Sequence, residues 1–175
     1  MTSASVYVVE RKKKHLDSSP VEADIFRAVR DGDAAVVNDL LVSGYNVNKS
    51  RWSGWTLLHR AAENGHSHIC EILIDKGAHI DERSGWGWLT PLHLALSNGF
   101  VDTALLLFSN GANPDLTNKY KETPVDFARR KGLNDVALEF EAEVFRISTM
   151  RESQLMTSSP KSFVENISHP NSLET

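Results

Sequence analysis

Two stretches of this chain copy each other at a fixed distance. Thr56-Leu57-Leu58-His59-Arg60-Ala61-Ala62-Glu63-Asn64-Gly65 is answered by Thr90-Pro91-Leu92-His93-Leu94-Ala95-Leu96-Ser97-Asn98-Gly99, so that His59 and His93 lie 34 positions apart, as do Gly65 and Gly99. The glycines extend the pattern. Gly32, Gly65, Gly99 and Gly132 are spaced by 33, 34 and 33, and Gly44, Gly77 and Gly111 by 33 and 34. A self-match at such a period means a row of small supersecondary units, each stacked on the next.

The apolar pattern inside each period is helical. In the first unit Ile25, Phe26, Ala28 and Val29 share one face, Gly32 stops the helix, and 34–42 forms a second helix with Val36, Val37, Leu40 and Leu41 on one side. Ser19-Pro20 has the form of an N-cap followed by proline at the first helical position. The second unit predicts helices over 57–64 and 68–75, the third over 91–98 and 101–109. The fourth begins at Thr123-Pro124-Val125-Asp126, with Phe127, Ala128, Gly132, Val136, Ala137 and Phe140 in register. Such a unit is too small to hide its own apolar face, so neighbours share a core and the end units need polar outer faces. Asp39 stands where the second unit has Ile72 and the third has Leu106; Arg129 replaces Ala62 and Glu141 replaces Ile74. The outer units are thus expected to be caps.

These residues resemble the ankyrin repeat. The second unit contributes Gly54, Thr56, Leu58, His59, Ala61, Ala62, Gly65, Leu73, Gly77, Ala78 and Asp81 to the likeness, and the third Thr90, Pro91, Leu92, His93, Ala95, Gly99, Leu106, Leu107, Gly111, Ala112 and Asp115. The resemblance implies an all-α repeat solenoid, a stack of antiparallel helix pairs with β-hairpin loops projecting at right angles. It also implies that His59 and His93 hydrogen-bond near the preceding threonine and link adjacent units. The repeat domain is expected over 20–145, with units of about 20–48, 49–81, 82–115 and 116–145. The chain departs from the pattern at Leu57, where proline is usual, at Asp126, where histidine is usual, and at Lys121, where the hairpin glycine is expected. The third unit carries one extra residue between Asp81 and Thr90, and Gly85 and Gly87 are expected to accommodate it.

Residues 1–19 form a tail with a basic run from Arg11 to Lys14 and a short apolar stretch, Val6-Tyr7-Val8-Val9. Residues 146–175 are rich in Ser, Thr, Asn and Pro and are expected to be a disordered tail. That tail holds Ser159-Pro160-Lys161, which resembles a proline-directed phosphorylation site, and a sequon at Asn166-Ile167-Ser168. No apolar run approaches the roughly 20 residues that a membrane helix needs. No secretory leader is expected, because the basic run follows the apolar stretch. A single cysteine, Cys70, excludes an internal disulfide and suits a reducing compartment, cytoplasm or nucleus. The formal net charge is -4.

No constellation suggests chemistry on a substrate. Neither a Gly-rich phosphate loop nor a nucleophile with a base and an orienting group is visible, so no enzyme and no cofactor are expected. His66 and His68 do not face each other on a helix, and no ligand spacing suggests a metal. Cys70, between Ile69 and Leu73, reads as a small core residue. The four tryptophans are more informative, because all fall in the expected hairpins: Trp52 and Trp55 before the second unit, Trp86 and Trp88 before the third. Tyr120 takes the related place before the fourth, and Arg51, Arg83, Lys119 and Lys121 lie among them. Inner-helix positions on the same side include Arg60, Glu63, Asn64, Leu94, Ser97, Asn98, Arg129 and Arg130. Acidic residues gather on the outer helices and the C-terminal cap: Asp39, Glu71, Asp75, Asp102, Glu139, Glu141 and Glu143.

Trp, Tyr and Arg give large desolvated contact with a polar handle, the chemistry of binding hot spots. The expected partner-binding residues are therefore Arg51, Trp52, Trp55, Arg60, Asn64, Arg83, Trp86, Trp88, Asn98, Tyr120, Lys121 and Arg129. Trp55 is the ring most apt to pack within the domain instead. Complementarity calls for an acidic, partly apolar protein partner, and for a chain that is monomeric alone. The resemblance implies a non-catalytic protein-interaction module, an adaptor or scaffold. An inhibitor or regulatory subunit of a kinase or transcription factor is the alternative, and nucleic-acid binding through stacked aromatics and cations is a more remote one.

Overall fold

The computed structural model describes residues 20–51 and 53–157, with side chains from 24 to 153. Among these residues there are eight helices and no strand. They come in pairs: α1 (Pro20–Asp31) with α2 (Ala34–Val42), α3 (Leu57–Glu63) with α4 (Ser67–Asp75), α5 (Pro91–Ser97) with α6 (Val101–Ser109), and α7 (Pro124–Arg130) with α8 (Asn134–Thr157). Inner helices α1, α3, α5 and α7 stack in one row, and outer helices α2, α4, α6 and α8 in a second. The tails 1–19 and 158–175 and Trp52 lie outside the described residues. With them lie the expected N-terminal basic run, the Ser159 site and the sequon.

The inner helices α3, α5 and α7 have only 7 residues each. Helices this short are marginal alone, so packing must hold them. In α3, Leu57, Leu58, His59, Ala61 and Ala62 are all buried, and α5 is buried along its whole length. Each fully buried leucine contributes about 1.5–3 kcal/mol. The shared core runs from Ile25 through Leu58, Leu73, Leu92 and Leu107 to Phe140, and Cys70 is buried within it.

The cap residues fall as the pattern requires: Asp39, Arg129 and Glu141 are exposed, whereas Ala62 is buried and Ile72, Ile74 and Leu106 are partly buried. At Gly65, φ is +70° and a Cβ would lie 2.4 Å from Phe100 Cδ1. Glycine there lets the phenylalanine that opens α6 sit directly on the turn of the previous unit.

The C-terminal helix is longer than its counterparts. Outer helices α2, α4 and α6 have 9 residues each, whereas α8 has 24 and continues through Thr157. The stretch 146–157, expected to belong to a disordered tail, is therefore helical. Phe140 is buried, Val144 and Ile147 are partly covered, and Arg151 reaches back to donate to the Ser109 carbonyl at 3.4 Å. A cation at the C-terminal end of α6 is favourable for the helix dipole.

Candidate functional site

The loops between units form three projecting fingers, at 49–55, 82–89 and 116–122. Each is closed by a backbone bond: Arg51 N–H donates to Trp55 O at 3.0 Å, Ser84 to Leu89 O at 2.9 Å, and Asn118 to Glu122 O at 2.9 Å. The extra residue of the third unit lies inside this closure, between Ser84 and Leu89. It is not a glycine that takes the left-handed conformation there. Gly54, Trp88 and Lys121 share one register, and their φ values are +73°, +55° and +62°. Gly85 instead permits close approach of the fingers, since its N–H donates to Ser53 O at 3.0 Å. Lys119 N–H donates to Gly87 O at 3.1 Å, so the fingers are bonded side by side.

Two histidines tie the fingers to the helices. His59 Nδ1 accepts from the Thr56 N–H at 3.2 Å and from its hydroxyl at 2.8 Å, and Nε2 donates to Leu89 O at 3.0 Å. His93 repeats this with Thr90 and with Glu122 O at 3.2 Å. Each ring therefore caps its own helix and holds the next finger. Both are fully buried, and burial pushes their pKa values down, His59 to about 4. In the last unit Asp126 accepts from the Thr123 N–H at 3.2 Å and hydroxyl at 2.7 Å. It supplies the cap without a second donor, and among the described residues no further finger follows.

A second ladder links the loops below. Asn48 donates to Gly77 O at 2.9 Å and accepts from His79 N–H at 2.8 Å; Asp81 accepts from Asn113 N–H at 3.0 Å. His66 Nε2 donates to Arg30 O at 2.9 Å. Cys70 is inert as a nucleophile, because burial pushes its thiol up to about 12. Among the described residues no group of three or more His, Cys, Asp or Glu is placed to hold a metal.

Trp52 aside, the residues expected to meet a partner fall into two groups. The first is engaged within the domain. Arg51 lies over the Phe26 ring at 4.4 Å, Trp55 packs against His59 at 6.0 Å, and Arg60 covers Trp55 at 5.1 Å while pairing with Glu63. Asn64 and Asn98 donate to the Arg60 and Leu94 carbonyls at 2.7 and 2.8 Å. Arg129 pairs with Glu141 at 2.5 Å. Leu94 and Ser97, expected on the open inner face, are buried; Lys131 reaches over α5 to the Ser97 carbonyl at 3.3 Å.

The second group stands clear. Trp86 is 74% exposed, Trp88 51% and Tyr120 65%. Arg83, Lys119 and Lys121 are exposed and make no ion pair among the described residues. Arg83 lies 6.0 Å from the Trp88 ring and Lys119 5.0 Å from Tyr120. Lys119, named in the sequence as a neighbour of the aromatics but not among the expected contact residues, thus belongs with the exposed group. Arg130 stacks on Phe127 at 5.0 Å and is held by Glu122 at 2.5 Å, at the edge of the same patch. The acids Asp39, Glu71, Asp75, Asp102 and Glu139 are exposed on the outer helices.

Comparison with known proteins accords with this architecture. Over 58 residues the chain is 41% identical to Potassium channel AKT1 of Oryza sativa subsp. indica, a match covering 33% of this chain and 6% of the channel. Over 69 residues it is 31% identical to Ankyrin repeat domain-containing protein 39 of Homo sapiens, covering 39% and 38%. Over 75 residues it is 37% identical to Ankyrin repeat, SAM and basic leucine zipper domain-containing protein 1 of Mus musculus, covering 41% and 16%. The chain spans well under half the length of each of these relatives. A family model for ankyrin repeats, in three copies, matches residues 25–137, well over half of the chain. With its helix pairs, glycine turns and threonine-histidine caps, the chain belongs to the ankyrin-repeat family.

Proposed function

We propose that this chain is an intracellular adaptor that holds an acidic, partly apolar protein partner along its fingers. Ankyrin repeats are protein-interaction modules, and no helix among the described residues is long and apolar enough to cross a membrane. The observation that carries the reading is the set of exposed rings, Trp86, Trp88 and Tyr120, beside Arg83, Lys119 and Lys121, which pair with no carboxylate among the described residues. Large rings left in water at the end of laterally bonded loops contribute little to the fold, and they match the residue types on which interfaces concentrate binding energy. A single cysteine buried as an inert thiol accords with a reducing compartment.

The test is affinity capture from cell extract with three full-length proteins: wild type, a Trp86→Ala/Trp88→Gly variant, and a Glu71→Lys/Asp102→Lys variant altered on the outer helices. The finger variant is expected to lose a partner that the outer-helix variant keeps. Retention by the finger variant and loss by the outer-helix variant would move the interface to the other side. Loss of every captured protein on nuclease treatment would transfer the patch to nucleic acid.

A further inference from the structure

We infer that recognition is confined to the second and third fingers, and that what they take is a short, extended, acidic segment of a partner. This rests on the finger reading above and narrows it. Among the described charges of the first finger and the inner helices, Arg60 is paired with Glu63 and Arg129 with Glu141, while Arg51 covers the buried core ring of Phe26 rather than an exposed one. A partner reaching them would have to break contacts already made. Among the described residues Arg83, Lys119 and Lys121 have no carboxylate to release, so a partner's carboxylate meets them without displacing one.

The shape also selects the ligand. Lys119 N–H donates to Gly87 O, which brings these two fingers into backbone contact, and Trp86, Trp88 and Tyr120 stand exposed on them. Two joined fingers that expose both rings and cations suit a chain laid across them, with carboxylates on the cations and apolar side chains against the rings. The Arg83 guanidinium and the Lys119 ammonium each lie near a ring, at 6.0 and 5.0 Å. Each cation is thus attracted to a neighbouring ring face while staying exposed to a partner's carboxylate. The exposed acids of the outer helices repel the same segment, which directs it to the fingers.

Selection of displayed random short peptides on the full-length protein tests this. The selected peptides should be enriched in Asp and Glu together with aromatic or aliphatic residues. Their affinity should fall roughly tenfold or more in an Arg83→Glu/Lys119→Glu variant. It should change less than about twofold in Arg51→Glu and Arg129→Glu variants, whose charges are rim or internal ones. Affinity should also drop as salt is raised. Peptides without acidic enrichment, or binding that survives Arg83→Glu/Lys119→Glu, would overturn the acidic-segment inference while leaving the capture experiment free to uphold the finger face. If phosphoserine peptides bind tightly and their Glu counterparts do not bind, the carboxylate assignment fails. If a single-stranded oligonucleotide competes more strongly than any selected peptide, the ligand class fails.

Discussion

At the scale of single residues, His59 and His93 are framework and not chemistry. Each uses both ring nitrogens as a neutral imidazole, which fixes the proton on Nε2. The unfolded chain protonates His59 near the ordinary value of 6.5, whereas the folded chain resists until about 4. Between those values the unfolded state binds more protons, so stability is full above about pH 6.5 and falls as pH is lowered. The loss from His59 approaches about 3 kcal/mol near pH 4, and His93 acts in the same direction. Denaturant melts between pH 7 and 4 should show this slope, and a His59→Ala/His93→Ala variant should be less stable at pH 7 with a flatter slope. Trp88 and Lys121 make the opposite case. Both sit at positive φ in the register where Gly54 serves the first finger. Glycine at either position should leave stability unchanged or raise it by about 1 kcal/mol, as thermal melts would show. A loss of more than about 1 kcal/mol would mean the Trp88 ring is packed for stability.

At the scale of elements, the helices were legible and the connections less so. Glycine spacing and threonine caps mark the ends of α3, α5 and α7 within a residue or two, because turn and cap chemistry is local. The position of the extra residue was also readable: Gly54, Trp88 and Lys121 recur at 34 and 33 positions. Gly85 and Gly87 mask that register, because glycine is the residue type that ordinarily takes the left-handed position. The extension of α8 was hidden by its Ser and Thr content, yet Phe140, Val144, Ile147 and Arg151 fall at helical intervals, a signal strong enough to have found it. Which cations are engaged was legible only for the local Arg60–Glu63 pair, since Arg51 meets Phe26 only when two units stack and Arg129 meets Glu141 only when α7 packs on α8. Two expectations follow. A chain ending at Phe145 should lose about 1 kcal/mol, the worth of the part-buried Ile147 and the Arg151 bond, measurable as a few degrees in Tm. Gly65→Ala should cost more than about 1 kcal/mol, because both the positive φ and the Phe100 ring oppose a Cβ.

At the scale of the whole molecule, the stack separates two tasks. Buried leucines, histidine caps and the Asn48 and Asp81 ladder fix the spacing of the units, and the second and third fingers expose rings and cations outside that framework. A partner assembled on the fingers should therefore be lost without loss of folding. The most direct measurement is the affinity of a captured partner for the Trp86→Ala/Trp88→Gly variant, with thermal stability read on the same preparations. The account predicts that affinity falls by roughly tenfold or more while stability holds or rises. Unchanged affinity, or a fall in affinity that tracks a fall in stability, would contradict it.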